Sequence, residues 1–254
     1  IPALFLGLAF LSRQTTILAA PFFLYVLYRR RHDSLSVDAI KHALRDRQTL
    51  VALAAFAAPL AGFVVLSLLY NYARFDSLTE TGYRTVYESY AGNQYAYFQA
   101  VSPGLAPDPV PNPPRFDLFD IRNVPLHLHA MFMIPPNFYP DWSIFRPSPY
   151  GMSVLLTSPP FIFAFLVRRK TELKLAAWVA IALICIPICL HYSQGWVQYG
   201  YRFLLDFAPF LLILTALGFD DSGSPSGRRW QIALVALSVV AGLWGRYWAN
   251  QLVW

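Results

Sequence analysis

The sequence predicts an all-α polytopic membrane protein, and three observations carry that prediction. Of 254 residues, 56% are hydrophobic and only 13% are charged, with mean hydropathy +0.41. A soluble domain carries about 25% charged residues, so this chain lacks the polar surface to cover a water-soluble globule. Several apolar runs of about 17–22 residues recur, close to the roughly 20 helical residues that cross a hydrocarbon core. The basic residues, finally, gather in short segments between those runs.

Taken in order, residues 1–28 form an apolar block broken at Leu11-Ser12-Arg13-Gln14-Thr15-Thr16. This predicts the end of one helix, a polar turn near Arg13, and a short helix running to Arg29-Arg30-Arg31. Full spans are expected at 49–70, 151–167, 173–190, 203–219 and 230–248, five in all beside the partial N-terminal one. Residues 71–150 form a long loop within this single membrane domain. Tyr83, Tyr87 and Tyr90 recur at helical spacing there, so 82–100 reads as an interfacial helix. A second short apolar helix is expected within 119–134. Residues 102–114, SPGLAPDPVPNPP, read as turn and polyproline-like loop, and Tyr139, Trp142 and Tyr150 as an aromatic belt. The chain begins at Ile1 inside an apolar run, which reads as the C-terminal part of a longer protein.

Charge sets the expected orientation. Segments 29–48, 168–174 and 220–229 hold twelve of the twenty Lys and Arg, including Lys41, Lys170 and Lys174, the chain's three lysines. The 71–150 segment has five Arg and no Lys. Positive residues favour the cytoplasmic side, so the three basic segments are expected inside and 71–150 outside. The net charge of +6 is thereby a topology signal, and no nucleic-acid partner is implied. Cys185 and Cys189 are small packing residues one turn apart in an apolar run.

The chemistry-bearing residues collect on the outer side: Arg13, Arg74, Glu80, Arg84, Glu88, His127, His129, His191, Tyr201, Arg202 and Asp206. Arginine offers a planar fork to phosphate oxygens, so Arg13 and Arg202 are candidates for holding a lipid phosphate. Each has a plainer reading as well: Arg13 as a helix-end side chain reaching the headgroups, Arg202 as the i,i+4 ion-pair partner of Asp206. His127 and His129, two apart, oppose each other on a helix, and no third ligand accompanies them. No metal site and no cofactor is identified.

Several segments resemble GT-C type membrane glycosyltransferases, the protein-mannosyltransferase-like and aminoarabinose-transferase-like enzymes. GLAFLSRQTTILAAPFFLYVLYRRR (7–31) resembles their G-L-A-x-L-[ST]-R-x-T segment with its apolar run and basic end. YNYARFDSLTETGYR (70–84) is similar to their N-x-x-R-F-G-S-P-x-E-x-G-Y segment, and GWVQYGYRFLLDFAPFLLIL (195–214) to their late G-x-x-x-G-x-R-Y-L-x-x-x-x-P helix. Gln14 stands where Pro is usual, and Asp76 where Gly is usual. The resemblance implies sugar transfer from a polyprenyl-phosphate carrier to an acceptor, outside a bacterial inner membrane. It puts the phosphate on Arg13 and Arg202, with Glu80, Tyr83, Arg84, His191, Tyr201 and Asp206 in support. Tyr83, Tyr87, Trp196 and Tyr201 would pack the lipid or stack on the sugar. It also implies an acidic catalytic residue in a first outer loop, which would precede Ile1. Two other readings compete: an O-antigen ligase or polysaccharide polymerase using Arg122, His127 and His129, and a transporter or non-catalytic membrane protein.

Overall fold

The computed structural model describes residues 1–89, 117–139, 144–148, 151–193, 195 and 198–251. They are mostly helical, with one small hairpin as the sheet. Three helices are long and apolar enough to cross a membrane: Arg47–Phe75, Glu172–Leu190 and Pro225–Gln251. These make the chain a membrane protein. Tyr90, Trp142, Tyr150, Trp196 and the 102–114 loop lie outside the described residues.

The chain separates into two compact units, Ile1–Thr85 with Thr171–Ile184, and Val86–Lys170 with Cys185–Trp254. In the first, α1 (Pro2–Ser12) ends where Arg13 turns extended, at φ −148° and ψ 104°. A 3-10 turn (Gln14–Ala19) and α2 (Ala20–Arg29) follow, with Pro at the start of α2 where its missing N–H costs no helix bond. The polar run Ser12 to Thr16 thus breaks the apolar block at Arg13. Ser36 caps the short α3 (Val37–Ala43). Asp46 caps α4 (Arg47–Phe75), accepting from the Gln48 and Thr49 N–H groups at 3.3 and 2.9 Å. At about 1.5 Å per residue, the 29 residues of α4 exceed a hydrocarbon core of ~30 Å. It ends on Asp76 in the left-handed region, φ 51°. Ala3, Leu6 and Phe10 of α1 and Phe56 and Leu60 of α4 are buried, and Gly7 leaves room for the Phe63 ring. α5 (Tyr83–Ser89) follows a turn in which the Glu80 carboxylate accepts from Thr81 and Gly82 N–H.

The second unit contains a 3-10 turn (Ile121–Asn123) leading into α6 (Val124–Phe132), then a hairpin of β1 (Asn137–Tyr139) against β2 (Ile144–Arg146). The expected span at 151–167 is not one helix. It is α7 (Val154–Thr157), a 3-10 turn (Pro159–Phe161) and α8 (Ile162–Phe165). The cause is local: Ser158-Pro159-Pro160 removes two N–H donors, and Ser158 sits at φ −143°, ψ 67°, outside the helical region. α9 (Glu172–Leu190) ends in this unit; α10 (Leu204–Asp221) and α11 (Pro225–Gln251) complete it. α10 has the length of the expected span and carries Asp206 in its first turn and Asp220 and Asp221 in its last.

Small residues set how closely these helices approach. A Cβ on Gly218 of α10 would collide with the Phe163 carbonyl of α8, while Phe219 packs edge-on against the Phe163 ring at 4.8 Å. Gly218→Ala is therefore expected to destabilise the unit by about 1–3 kcal/mol. The measurement is the SDS fraction needed to unfold the protein in mixed micelles. Gly242→Ala on α11 is the control, since nothing lies within 4 Å of its added methyl. Equal midpoints for the two variants would show that the contact is slack.

Candidate functional site

The site is built where segment 117–123 is laced to the end of α9. Helix termini leave carbonyls unsatisfied, and here the Leu190 carbonyl accepts from Asp120 N–H at 2.8 Å and from Asn123 Nδ2 at 2.9 Å. Tyr192 N–H donates to the Leu118 carbonyl at 3.0 Å, and Phe119 bridges His191 antiparallel. Arg122 closes back on Asp120, its Nε 3.0 Å from each carboxylate oxygen. That guanidinium holds the Asp120 carboxyl well below the usual carboxylate range.

α6 carries His127 into this platform, with 0% of it exposed. Its Nε2 is 2.8 Å from the His191 carbonyl oxygen, which can only accept, so Nε2–H donates. Nδ1 then accepts from the Tyr201 hydroxyl at 2.7 Å. One neutral tautomer satisfies both contacts, and burial pushes the imidazole down to about 4. Tyr201 is only 2% exposed, so its ring belongs to this clasp. Helical geometry separates His129 from His127, and among the described residues no three His, Cys, Asp or Glu side chains converge as metal ligands.

Two glycines lie against Gln198 in the same unit. Gly151 and Gly195 have φ +88° and +97°, the left-handed side that glycine tolerates. Between them lies the amide of Gln198, a residue 6% exposed. Added Cβ atoms would stand 2.9 Å from its Nε2 (on Gly151) and 2.8 Å from its Oε1 (on Gly195). The same Oε1 accepts from Arg202 N–H at 3.3 Å. The exposed Arg202 side chain then folds back across Gly195, where a Cβ would be 2.6 Å from Nε and 3.0 Å from Cζ. Its guanidinium also lies 5.5 Å from the centre of the Phe203 ring.

The Arg202–Asp206 ion pair expected from i,i+4 spacing does not form. α10 begins only at Leu204, so Arg202 sits in the preceding turn and its guanidinium goes to Gly195. Asp206 is buried in the first turn of α10. His191 is half-buried, its Nδ1 near the Ser193 backbone and its ring 4.7 Å from Tyr192. Burial, and secondarily the charge of Arg202, lower its basicity and favour the neutral ring.

The second unit therefore assembles His191, Tyr201, Arg202 and Asp206. Arg13, Glu80, Tyr83 and Arg84 belong to the first. There Arg13 is half-buried at the helix break, its carbonyl accepting from the Thr16 hydroxyl at 2.8 Å, while Tyr83 and Arg84 are exposed. Sequence reasoning passed over Asn123, Gly151, Gly195 and Gln198. Gly195, at the head of the aromatic-rich run 196–201, was a usable signal for a tight backbone; Gly151 and Gln198 had none.

Comparison of the chain with known protein families, with curated proteins and with solved structures finds no match. The site has to be read from its own chemistry. It offers an exposed guanidinium packed against Gly195 and Phe203, beside an imidazole kept neutral, on a platform stiffened by buried hydrogen bonds. Such an arrangement suits an anionic group with two or more oxygens.

Proposed function

We propose that this chain is a membrane glycosyltransferase, or the part of one, that moves a sugar from a polyprenyl-phosphate donor to an acceptor on the extracytoplasmic side of a bacterial inner membrane. The observation that carries the reading is Arg202, an exposed guanidinium lying across Gly195 in the turn before α10, its backbone N–H donating to Gln198. The motif resemblance of 7–31, 70–84 and 195–214 and the Lys/Arg bias support it. In this reading 29–48, 168–174 and 220–229 are cytoplasmic, and Arg202 serves the donor phosphate. The acceptor hydroxyl loses its proton to a base and attacks the anomeric carbon. The bond from that carbon to the phosphate oxygen breaks, and polyprenyl phosphate leaves with the added negative charge that an arginine neutralises. No residue of this chain is assigned the base. The ligase alternative needs His127 to work on substrate, and its complete burial between Tyr201 and His191 weighs against that.

The test is binding of farnesyl phosphate, a short polyprenyl phosphate, to the purified protein in detergent. Arg202→Gln is expected to weaken it by about 10–100-fold, the worth of a charge-assisted hydrogen-bonded contact. Farnesol, lacking the phosphate, should bind poorly to both proteins. Equal affinity of the unaltered protein for farnesol and farnesyl phosphate, or an unchanged affinity in Arg202→Gln, would remove Arg202 from the donor site.

A further inference from the structure

Segment 29–48 of the first unit carries a second feature, independent of the transferase reading. The C-terminal turn of α2, the short α3 and the first turns of α4 border a small, open apolar groove. Leu27, Ile40, Leu44 and Leu53 line it above a buried Ala43. Around it Val37, Leu50 and Val51 are exposed as well, a surface that water does not favour at the end of a membrane-spanning helix.

The polar groups in the groove wall are almost all committed. The Tyr28 hydroxyl donates to the Ser34 carbonyl at 2.7 Å. Thr49 donates to the Asp46 carboxylate at 2.8 Å and meets His32 Nε2 at 3.0 Å. The remaining charged group in the lining is Arg31, exposed and without an ion-pair partner among the described residues. Arg29, by contrast, is tied to Glu172 at 3.0 Å. Arg30, Lys41, Arg45 and Arg47 are exposed and likewise make no ion pair with a described residue. Segment 29–48 has six Lys/Arg against three Asp.

We propose that this groove holds one anionic glycerophospholipid, an acyl chain lying between α2, α3 and α4 and the headgroup phosphate on Arg31. Three properties point to a lipid. A soluble anion would leave the apolar walls wet, and a neutral lipid would leave Arg31 unused. The groove also opens where α2 ends and the span of α4 begins, the level at which a bilayer offers chain and phosphate together.

The experiment reconstitutes the protein in bilayers of equal phosphatidylcholine and phosphatidylglycerol, extracts it in mild detergent, and counts retained lipid by native mass spectrometry. One phosphatidylglycerol per chain is expected, in preference to phosphatidylcholine. Arg31→Gln should cut that retention about fivefold, the worth of one basic residue at an anionic surface, and Arg30→Gln, outside the lining, less than about twofold. Ala52→Leu, which fills the groove from α4, should displace the lipid while circular dichroism stays unchanged. Equal retention of the two lipids, equal losses in Arg30→Gln and Arg31→Gln, or full retention in Ala52→Leu would each overturn the site. Farnesyl phosphate binding at Arg202 is measured separately, so failure of one proposal leaves the other standing.

Discussion

His127→Ala is expected to lower stability by roughly 3 kcal/mol, the largest loss among single substitutions near the site. The change removes the acceptor of the Tyr201 hydroxyl and the donor to the His191 carbonyl, and leaves a cavity at a position with 0% exposure. Segment 117–123, α6 and the end of α9 depend on that clasp, so the unfolding midpoint in SDS should fall at neutral pH. The same residue gives a pH signature. In the unfolded chain the imidazole titrates near its ordinary 6.5; in the folded protein burial pushes it to about 4. Above pH ~6.5 the group is neutral in both states and contributes no slope. As pH falls from there toward 4, the unfolded state binds a proton that the folded state refuses, so stability declines across that window. The decline from this group amounts to ~3 kcal/mol, at about 1.4 kcal/mol per unit. His191, also lowered chiefly by burial, adds in the same direction. Asp120 is lowered too, by its bond to Arg122 and not by burial, so its contribution is lost in the same direction but at lower pH, below the usual carboxylate range. His127→Ala should thus flatten the slope between pH 6.5 and 4. A flat profile in the unaltered protein would refute the neutral clasp.

Much of the fold was legible because membrane helices write themselves into composition. Twenty apolar residues bounded by charge have few alternatives in water, and the spans of α4, α9 and α11 follow from that alone. The break at Arg13 was legible for a related reason: five polar residues in a row cannot continue an apolar helix at no cost. Where the reading failed, apolar count had been allowed to outrank backbone chemistry. Residues 151–167 are greasy enough to span, yet Ser158-Pro159-Pro160 cannot hold a continuous helix. Arg202 and Asp206 have the spacing of a helical pair, but spacing means nothing until the helix has begun, and it begins at Leu204. The clasp was illegible for another cause. His127 meets Tyr201 across 74 residues and His191 across 64, and no local pattern encodes a partner so distant. The individual candidates on the late loop could be picked by residue type; what fixes them could not.

What fixes Arg202 is a glycine, and that yields the prediction closest to function. Gly195→Ala is expected to weaken farnesyl phosphate binding by about 10–100-fold, as much as loss of the guanidinium itself. The new methyl would stand 2.6 Å from Arg202 Nε and 2.8 Å from Gln198 Oε1, closer than packed atoms tolerate, on a backbone at φ +97°. The side chain has to leave, because Gln198 is held on its other flank by Gly151 and has nowhere to yield. The fold should lose only about 1–3 kcal/mol, the cost of an ordinary residue in a glycine conformation. Binding and stability are therefore expected to separate in this variant, whereas in His127→Ala stability falls first. The double variant Gly195→Ala/Arg202→Gln decides the matter. If the glycine acts by positioning the arginine, the two losses do not add, since the second change removes a group already displaced. Additive losses would mean that Gly195 touches the ligand by itself. Unchanged binding in Gly195→Ala would mean that the guanidinium reaches the phosphate from a different position altogether.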